Sequence, residues 1–195
     1  MPALSQVAIW SFAAFWIVWL VWGAISTRRR RVVARGGWGS GLTRWLLVVV
    51  GVLLLGRRGD LFILSHFRHA ALWPGHPQVY AAGFLIEVAG IGVAVCARWH
   101  LGTFWGATAV VREGHRVVDT GPYHLVRHPI YSGILLAMAG LGFMSGGVFW
   151  LVLLLGAVIG FAWKIRAEER LLTKELGDDY THYRQRTSML IPWIW

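Results

Sequence analysis

Charge is scarce in this sequence: 14% of its 195 residues are charged, and only nine are Asp or Glu. A soluble domain carries about 25% charged residues, so the composition excludes an ordinary soluble domain. In place of charge the chain has 56% hydrophobic residues and 13 Trp, a side chain that favours the two interfaces of a bilayer. The composition therefore predicts a polytopic integral membrane protein.

Cysteine is almost absent, and the motifs of several enzyme classes are missing. Cys96 is the single cysteine, which excludes an intrachain disulfide and a cysteine-based metal site, and we interpret it as a small buried hydrophobic residue. No Gly-x-Ser-x-Gly nucleophile motif is present. The glycine-rich Gly36–Gly41 follows an Arg run instead of a strand, so it predicts a flexible loop and not a dinucleotide site. His66, His69 and His76 have no acidic or Cys partner beside them, and we expect no metal site.

Five apolar runs are candidates to cross a hydrocarbon core of roughly 30 Å as helices. They are Val7–Ile25, Leu42–Gly56, Val79–Trp99, Ile130–Ser145 and Gly146–Trp163. Gly146-Gly147 predicts a tight turn, so the last two runs should form an antiparallel hairpin. We expect an all-α integral membrane fold of about five transmembrane helices. Residues 1–100 would hold the first three, and residues 101–195 the last two and a helical C-terminal tail.

The basic residues predict the orientation of this fold. With the N-terminus outside, the segments on the cytoplasmic side carry 16 Lys or Arg residues and the outer connection carries three. Such a bias is typical of cytoplasmic loops. It accounts for the net charge of +10 without nucleic acid as a partner, and it makes membrane lipids the expected partners. The C-terminal tail and the start of the fourth helix would then meet at the cytoplasmic face.

Two polar clusters flank the predicted hairpin. The first is the turn-prone segment Gly121–Gly133, and the second, after the last apolar run, contains Lys164, Arg166, Glu168 and Glu169. Ionisable groups at the mouth of a membrane helix are costly to bury and usually mark a site. The clusters therefore predict a functional site at one membrane face.

The tail and one intramembrane carboxylate complete the list of polar features. Ala167–Leu176 favours a helix, Gly177 suits its C-cap, and Asp178-Asp179 suits the start of another helix. Tyr180, Tyr183 and Arg184 would share one face of that helix, which could also be a simple amphipathic helix on the membrane. Glu87 lies near the middle of the third run, where a carboxylate is either functional or a hydrogen-bonded structural group.

The two clusters resemble one known family. The pattern Gly-Pro-Tyr-x-x-Val-Arg-His-Pro-x-Tyr-x-Gly covers Gly121–Gly133, and Glu-Glu-x-x-Leu-x-x-x-x-Gly-x-x-Tyr-x-x-Tyr covers Glu168–Tyr183, before Ile191-Pro192. Together they are similar to the isoprenylcysteine carboxyl methyltransferases and their relatives, the membrane phospholipid methyltransferases. The resemblance covers about the C-terminal half, and it implies that residues 101–195 form a catalytic region that binds S-adenosylmethionine.

The resemblance also implies which residues hold the cofactor. His115–Val118 matches the family's His-x-Leu-Val, and Arg112 is the nearest counterpart of an upstream Gln. The full set of expected cofactor-binding residues is Arg112, His115, Arg116, Val117, Val118, Tyr123, Arg127, His128, Pro129, Ile130, Tyr131 and Glu168. Arg127 or His128 could donate to the cofactor carboxylate, and Glu168 could pair with its ammonium group or accept from its ribose.

The acceptor is a lipophilic small molecule in this interpretation. The family's substrate is an isoprenylcysteine-like carboxylate, which is ionised at pH 7 and needs no general base. Lys164 or Arg166 stands where the family has a substrate-side Arg, and Glu169 or His128 could serve as the base that an amine acceptor would need. Lys164, Arg166 and Glu169 are therefore the expected catalytic residues.

Three other functions remain open at this point. One is N-methylation of a phospholipid or another lipid amine. A second is an NADPH-dependent, sterol-type membrane reductase, which has a similar Arg-His-Pro turn but a longer chain with more helices. The third is a membrane scaffold without activity, against which the presence of both polar clusters argues.

Overall fold

The computed structural model describes residues 2–26, 31–35, 76–106 and 110–194. Its helices are α1 (Pro2–Ser26), α2 (Pro77–Leu101), α3 (Pro129–Ser145), α4 (Val148–Leu176) and α5 (Asp178–Arg186). Short 3-10 helices cover Gly102–Phe104 and Gly121–His124, and the strands are β1 (Val32–Arg35) and β2 (Val110–Arg112). The predicted second run, the glycine-rich loop and most of the outer connection, with His66 and His69, lie outside the described residues.

The described chain is mostly helical, and two of its helices could cross a membrane by length and composition. These are Pro77–Phe104 and Val148–Leu176, while Trp10–Gly23 and Pro129–Ser145 are shorter apolar helices. With 17 residues, α3 is about 26 Å long, slightly less than a hydrocarbon core. The predicted helical membrane architecture agrees with this structure at that coarser level.

A small sheet is the departure from the expected all-α fold. β1 and β2 pair antiparallel, with Ala34 opposite Val111 and Arg35 opposite Val110. Both strands are rich in valine, whose β-branched side chain favours extended backbone. The pairing fixes the segment that precedes the Arg-His-Pro turn, and the sequence did not predict it because each strand has only three or four residues.

Glycines allow α2 and α3 to pack closely as an antiparallel pair. A Cβ atom added to Gly90 would lie 2.6 Å from the carbonyl oxygen of Gly133, and one added to Gly133 would lie 2.6 Å from the amide nitrogen of Ala94. Real Cβ atoms do not approach so closely, so the two backbones are in direct contact. Small residues at such positions let membrane helices associate without a hydrophobic driving force.

Polar and aromatic contacts attach α1 to α2. The Ser11 hydroxyl donates a hydrogen bond of 2.7 Å to the fully buried Glu87 carboxylate. Near the other end of α2, the buried Arg98 guanidinium donates to the Trp19 carbonyl at 3.0 Å and lies over the rings of Trp19 and Trp105. Glu87 therefore makes a contact between helices, as its structural interpretation expects.

The helices α3 and α4 form the predicted hairpin, and α4 is longer than expected. Gly146 adopts the left-handed conformation that ends α3, and α4 begins two residues later. α4 then continues without a break to Leu176, so the predicted tail helix from Ala167 is the same helix as the fifth apolar run. Gly177, with φ of 58°, ends it and α5 follows, as the sequence predicts.

Candidate functional site

An open cavity of about 120 Å³ lies where α2, the segment after β2, and the helices α3, α4 and α5 come together. It is lined by Leu101, Phe104, Trp105, Gly106, Val110, His115, Arg116, Val117, Val118, Tyr123, Arg127, His128, Ile130, Tyr131, Glu168, Leu171, Leu172, Leu176, Tyr180 and Tyr183. Charged, aromatic and aliphatic groups are thus mixed in one wall.

The expected site residues divide into those that line this cavity and those that do not. Of the expected cofactor-binding residues, Arg112 and Pro129 lie outside the lining: Arg112 is buried in β2, and Pro129 is buried in the first turn of α3. Of the expected catalytic residues, Lys164 contacts the cavity residue Glu168. Arg166 and Glu169 line a separate groove. Arg166 and Glu169 point away from the cavity that Glu168 lines, because consecutive residues of α4 point in directions about 100° apart.

Several lining residues were not predicted. Phe104, Trp105, Leu171 and the aromatic pair on α5, Tyr180 and Tyr183, line the cavity without a role assigned from the sequence. The spacing of Tyr180 and Tyr183 on one helical face was a signal for them. The apolar residues have no such signal, because a leucine in a cavity wall and a leucine facing lipid are alike in sequence.

Glu168 is held at the cavity wall by two donors. The Tyr131 hydroxyl lies 2.9 Å from both carboxylate oxygens, and Lys164 Nζ donates to Oε1 at 2.7 Å. The Tyr131 ring is stacked between His128 and Phe161, at centroid distances of 5.7 and 4.8 Å. The carboxylate therefore has a defined position and orientation.

Glu169 instead belongs to the contact between α4 and the tail. Its Oε1 accepts a hydrogen bond of 2.7 Å from Arg127 Nε. The same guanidinium donates to the backbone carbonyls of Arg184 and Thr187, at the end of α5. Arg127 thus directs Nε and one terminal nitrogen to protein groups, so fewer of its N–H donors remain for the expected hydrogen bond to a cofactor carboxylate.

His128 lies between the two carboxylates. Its Nδ1 is 3.8 Å from Glu168 Oε2, and its Nε2 is 3.4 Å from Glu169 Oε1. Neither approach has the geometry of a good hydrogen bond, and within the described part of the chain Nε2 is a buried nitrogen without one. The imidazole is therefore positioned by two charges and by its stacking on Tyr131.

The chain segment after α5 is hydrogen-bonded to the Arg-His-Pro turn and to the first turn of α3. The backbone amides of Arg127 and His128 donate to the carbonyls of Ser188 and Met189 at 2.8 and 3.1 Å. Ser132 Oγ donates to the Leu190 carbonyl at 2.6 Å. Residues about 60 apart in sequence are thus joined, and the tail becomes part of the site's framework.

The segment after β2 supplies a neutral aromatic wall. Burial lowers the pKa of His115 below its ordinary value of 6.5, and the positive charge of Arg112 lowers it further. The His115 ring stacks on Phe104 at 4.8 Å. Burial also raises the pKa of the Tyr123 phenol, and the nearby Tyr183 and the charge of Glu168 raise it further. This phenol therefore stays protonated.

This architecture defines a class: a helical membrane protein with an amphiphilic cavity at the ends of its helices. Residues 78–179, just over half of the chain, match the family model described as phospholipid methyltransferase. The chain belongs to the phospholipid methyltransferase family. The predicted resemblance to the isoprenylcysteine carboxyl methyltransferases and their phospholipid-methylating relatives is confirmed.

Proteins with several different names are similar in sequence to this chain. The chain is 35% identical over 178 residues to the protein-S-isoprenylcysteine O-methyltransferase of Schizosaccharomyces pombe, covering 80% of this chain and 69% of that protein. It is 42% identical over 73 residues to methanethiol S-methyltransferase 1 of Bradyrhizobium diazoefficiens, covering 36% and 24%. It is 29% identical over 150 residues to the cobalt-zinc-cadmium resistance protein CzcN of Cupriavidus metallidurans, covering 76% and 62%. The chain thus spans less than two thirds of the length of the last two relatives.

Proposed function

We propose that this chain is an integral membrane methyltransferase that uses S-adenosylmethionine and methylates a lipophilic acceptor. An isoprenylcysteine-like carboxylate is the acceptor that we propose first. The observation that carries the proposal is the Glu168 carboxylate, held by Tyr131 and Lys164 in the wall of a cavity that also offers aromatic and aliphatic surfaces. We further propose that the N-terminus lies outside and that the C-terminus and the cavity face the cytoplasm.

The cavity residues fit the chemistry of this cofactor. Glu168 offers an anion for the ammonium group or acceptor oxygens for the ribose hydroxyls. Phe104, His115 and Val118 offer a neutral, partly aromatic surface for the adenine. Arg116, which is exposed at the cavity, and His128 are the donors that we assign to the cofactor carboxylate. Arg127 and Glu169 would act as positioning residues that hold the turn and the tail in place.

The reaction asks the protein for orientation more than for proton transfer. S-adenosylmethionine supplies an electrophilic methyl group on a sulfonium when it is bound. Positioning two reactants for an in-line displacement and keeping water away lower the barrier substantially. A carboxylate acceptor is already ionised and needs no base. Lys164, which donates a hydrogen bond to Glu168, is the cation that we assign to the acceptor side.

Other acceptors give different requirements. An amine acceptor needs a base, and His128 lines the cavity whereas Glu169 does not. A thiol acceptor is a further candidate because two relatives are named methanethiol S-methyltransferases. NADPH reduction and a role as a scaffold are alternatives that ligand binding distinguishes from methyl transfer.

The first experiment measures the thermal stability of the detergent-purified protein with S-adenosylmethionine, S-adenosylhomocysteine or NADPH. A ligand at 100 times its dissociation constant stabilises the native state by roughly 2.7 kcal/mol. We expect stabilisation by the two adenosyl compounds alone and its loss in Glu168→Gln. Glu175→Gln, an exposed change on the same helix, is the matched control. A response to NADPH alone would favour the reductase, and no response to any compound would favour the scaffold.

A second experiment separates the acceptors and tests the topology. Transfer of a labelled methyl group is measured to a farnesylcysteine analogue, to phosphatidylethanolamine and to methanethiol. We expect the farnesylcysteine carboxylate to be the preferred acceptor, and preference for either other compound would overturn that choice.

Reporter fusions at the two ends check the orientation, with a cytoplasmic C-terminus as the expected result.

A further inference from the structure

A second groove, of about 460 Å³, lies on the C-terminal part of α4 and is strongly cationic. It is lined by Arg166, Glu169, Arg170, Thr173, Lys174 and Arg184. Four cations therefore surround one carboxylate. That carboxylate already accepts from Arg127, and its other oxygen is 3.4 Å from Arg184 Nε. The charge that remains in the groove is positive, and it favours an anion.

The lining residue Thr173 also carries a hydroxyl that has no hydrogen bond within the part of the chain that the structure describes. Thr173 Oγ1 is buried, and among the described residues it has no partner. A buried hydroxyl without a partner costs free energy, and a ligand oxygen can remove that cost. A phosphate group has the negative charge that the cations require and the acceptor oxygens that the hydroxyl requires.

An exposed apolar stripe on the same face of α4 leads into the groove. Val152 and Arg170 are 18 residues apart, which is five complete helical turns, so they lie on one line along the helix. Between them Ile159 and Trp163 lie close to the same line. Val152, Ile159 and Trp163 are 57%, 55% and 55% exposed. The stripe has the length and chemistry of a lipid-facing surface, and the cations follow where it ends.

We propose that this groove binds the phosphate of an acidic bilayer phospholipid, with its acyl chains along the apolar stripe of α4. The lipid is favoured over a free phosphate because the stripe provides a matching apolar surface. It is favoured over a zwitterionic lipid because the groove carries excess positive charge. Arg166 then serves this lipid site, which is distinct from the cavity of the proposed reaction.

The test measures binding of short-chain phosphatidylglycerol to the full-length protein in neutral detergent, by thermal shift or native mass spectrometry. Phosphatidylcholine with the same chains and inorganic phosphate are the comparison probes. We expect phosphatidylglycerol alone to bind. Arg170→Gln/Lys174→Gln should weaken this binding by about 30-fold, since each basic residue near a lipid surface contributes a factor of about 5.

Two further variants sharpen the result. Arg31→Gln/Arg186→Gln removes the same charge outside the groove and should leave phosphatidylglycerol affinity unchanged. Thr173→Val keeps the shape of the side chain and should weaken binding by about 10-fold through loss of one hydrogen bond to a charged group. Equal binding of phosphatidylcholine, equal binding of inorganic phosphate, or equal losses in the two double variants would each overturn the proposal. None of these readouts depends on methyl transfer, so the proposed function is tested separately.

Discussion

At the scale of single residues, two neighbouring carboxylates have different surroundings. Glu168 is held by Tyr131 and Lys164 at the cavity, whereas Glu169 pairs with Arg127 beside a cationic groove. From the sequence both were expected at one site, Glu168 on the cofactor and Glu169 as a catalytic residue. Their separation by about 100° around the helix instead gives each its own partners.

The Tyr131 hydroxyl should matter for cofactor binding apart from its ring. Tyr131→Phe removes the donor to Glu168 and keeps the stacking on His128 and Phe161. A hydrogen bond to a charged group contributes about 1.5–3 kcal/mol, so we expect S-adenosylmethionine affinity to fall by about 10-fold or more. Calorimetric titration checks this, with Tyr80→Phe on α2 as the control. Equal affinities of Tyr131→Phe and the unmodified protein would contradict the role assigned to Glu168.

His115 should make the folded state sensitive to acid. Burial and the charge of Arg112 lower its folded pKa, so below pH 6.5 the unfolded chain binds the proton more readily. The contribution of neutral His115 to the free energy of unfolding is complete above about pH 6.5. It is lost as the pH falls below that value, by at most about 1.4 kcal/mol per pH unit. Thermal unfolding between pH 8 and pH 5.5 should show a steeper decline for the unmodified protein than for His115→Gln. Parallel declines would show that other groups dominate.

At the scale of elements, the pairing of α2 with α3 depends on glycine. Gly83 and Gly90 are seven residues apart on α2, and Gly133 and Gly140 are seven apart on α3, so each pair forms one smooth line along its helix. This spacing was present in the sequence and could have predicted the interface. The cavity depends on the same pairing, because α3 begins with the Arg-His-Pro turn.

A methyl group at this interface should separate the helices. Gly90→Ala places Cβ against the backbone of α3, 2.6 Å from the Gly133 carbonyl oxygen. Overpacking of this kind costs about 1–3 kcal/mol. Gly92→Ala, two residues away on α2, has open space around its Cβ and should be neutral or stabilising by up to about 1 kcal/mol. Thermal unfolding in detergent compares the two variants, and equal midpoints would argue against close packing.

At the scale of the whole molecule, the C-terminal tail closes the site. Arg127 joins α4 to the end of α5, and the backbone of residues 188–190 lies along the Arg-His-Pro turn. The Glu169–Arg127 pair therefore connects elements that are far apart in sequence. A cavity built in this way should depend on the tail even where the tail does not line it.

Removing the Arg127 guanidinium should release the tail. In Arg127→Gln the carbonyls of Arg184 and Thr187 lose a charged donor, and Glu169 loses its nearest cation. At about 1.5–3 kcal/mol for such bonds, the open tail should be at least about 10-fold more populated. Trypsin cleavage at Arg184 and Arg186 measures this opening, with Arg116→Gln as the control. Cleavage at the same rate in both variants would show that other contacts hold the tail.

Much of the fold was predictable from local sequence. The bounds of α3, the turn at Gly146, the cap at Gly177 and the start of α5 all follow from hydrophobic runs and glycine positions. The unbroken length of α4 was missed because a change from apolar to charged residues suggested a boundary. Its backbone has no glycine or proline from Phe161 to Leu176, so the helix continues across that change.

By itself the sequence determined the membrane class, the family and the two polar clusters, because these depend on composition and on spacing within short segments. Only the tertiary structure decided which member of each cluster faces the cavity. It separated Glu168 from Glu169, directed Arg127 to the tail, and brought Phe104, Leu171 and Tyr180 to the wall. The physical reason is that helix phase and contacts across 40 to 60 residues set these positions, and neither is encoded in any single short motif.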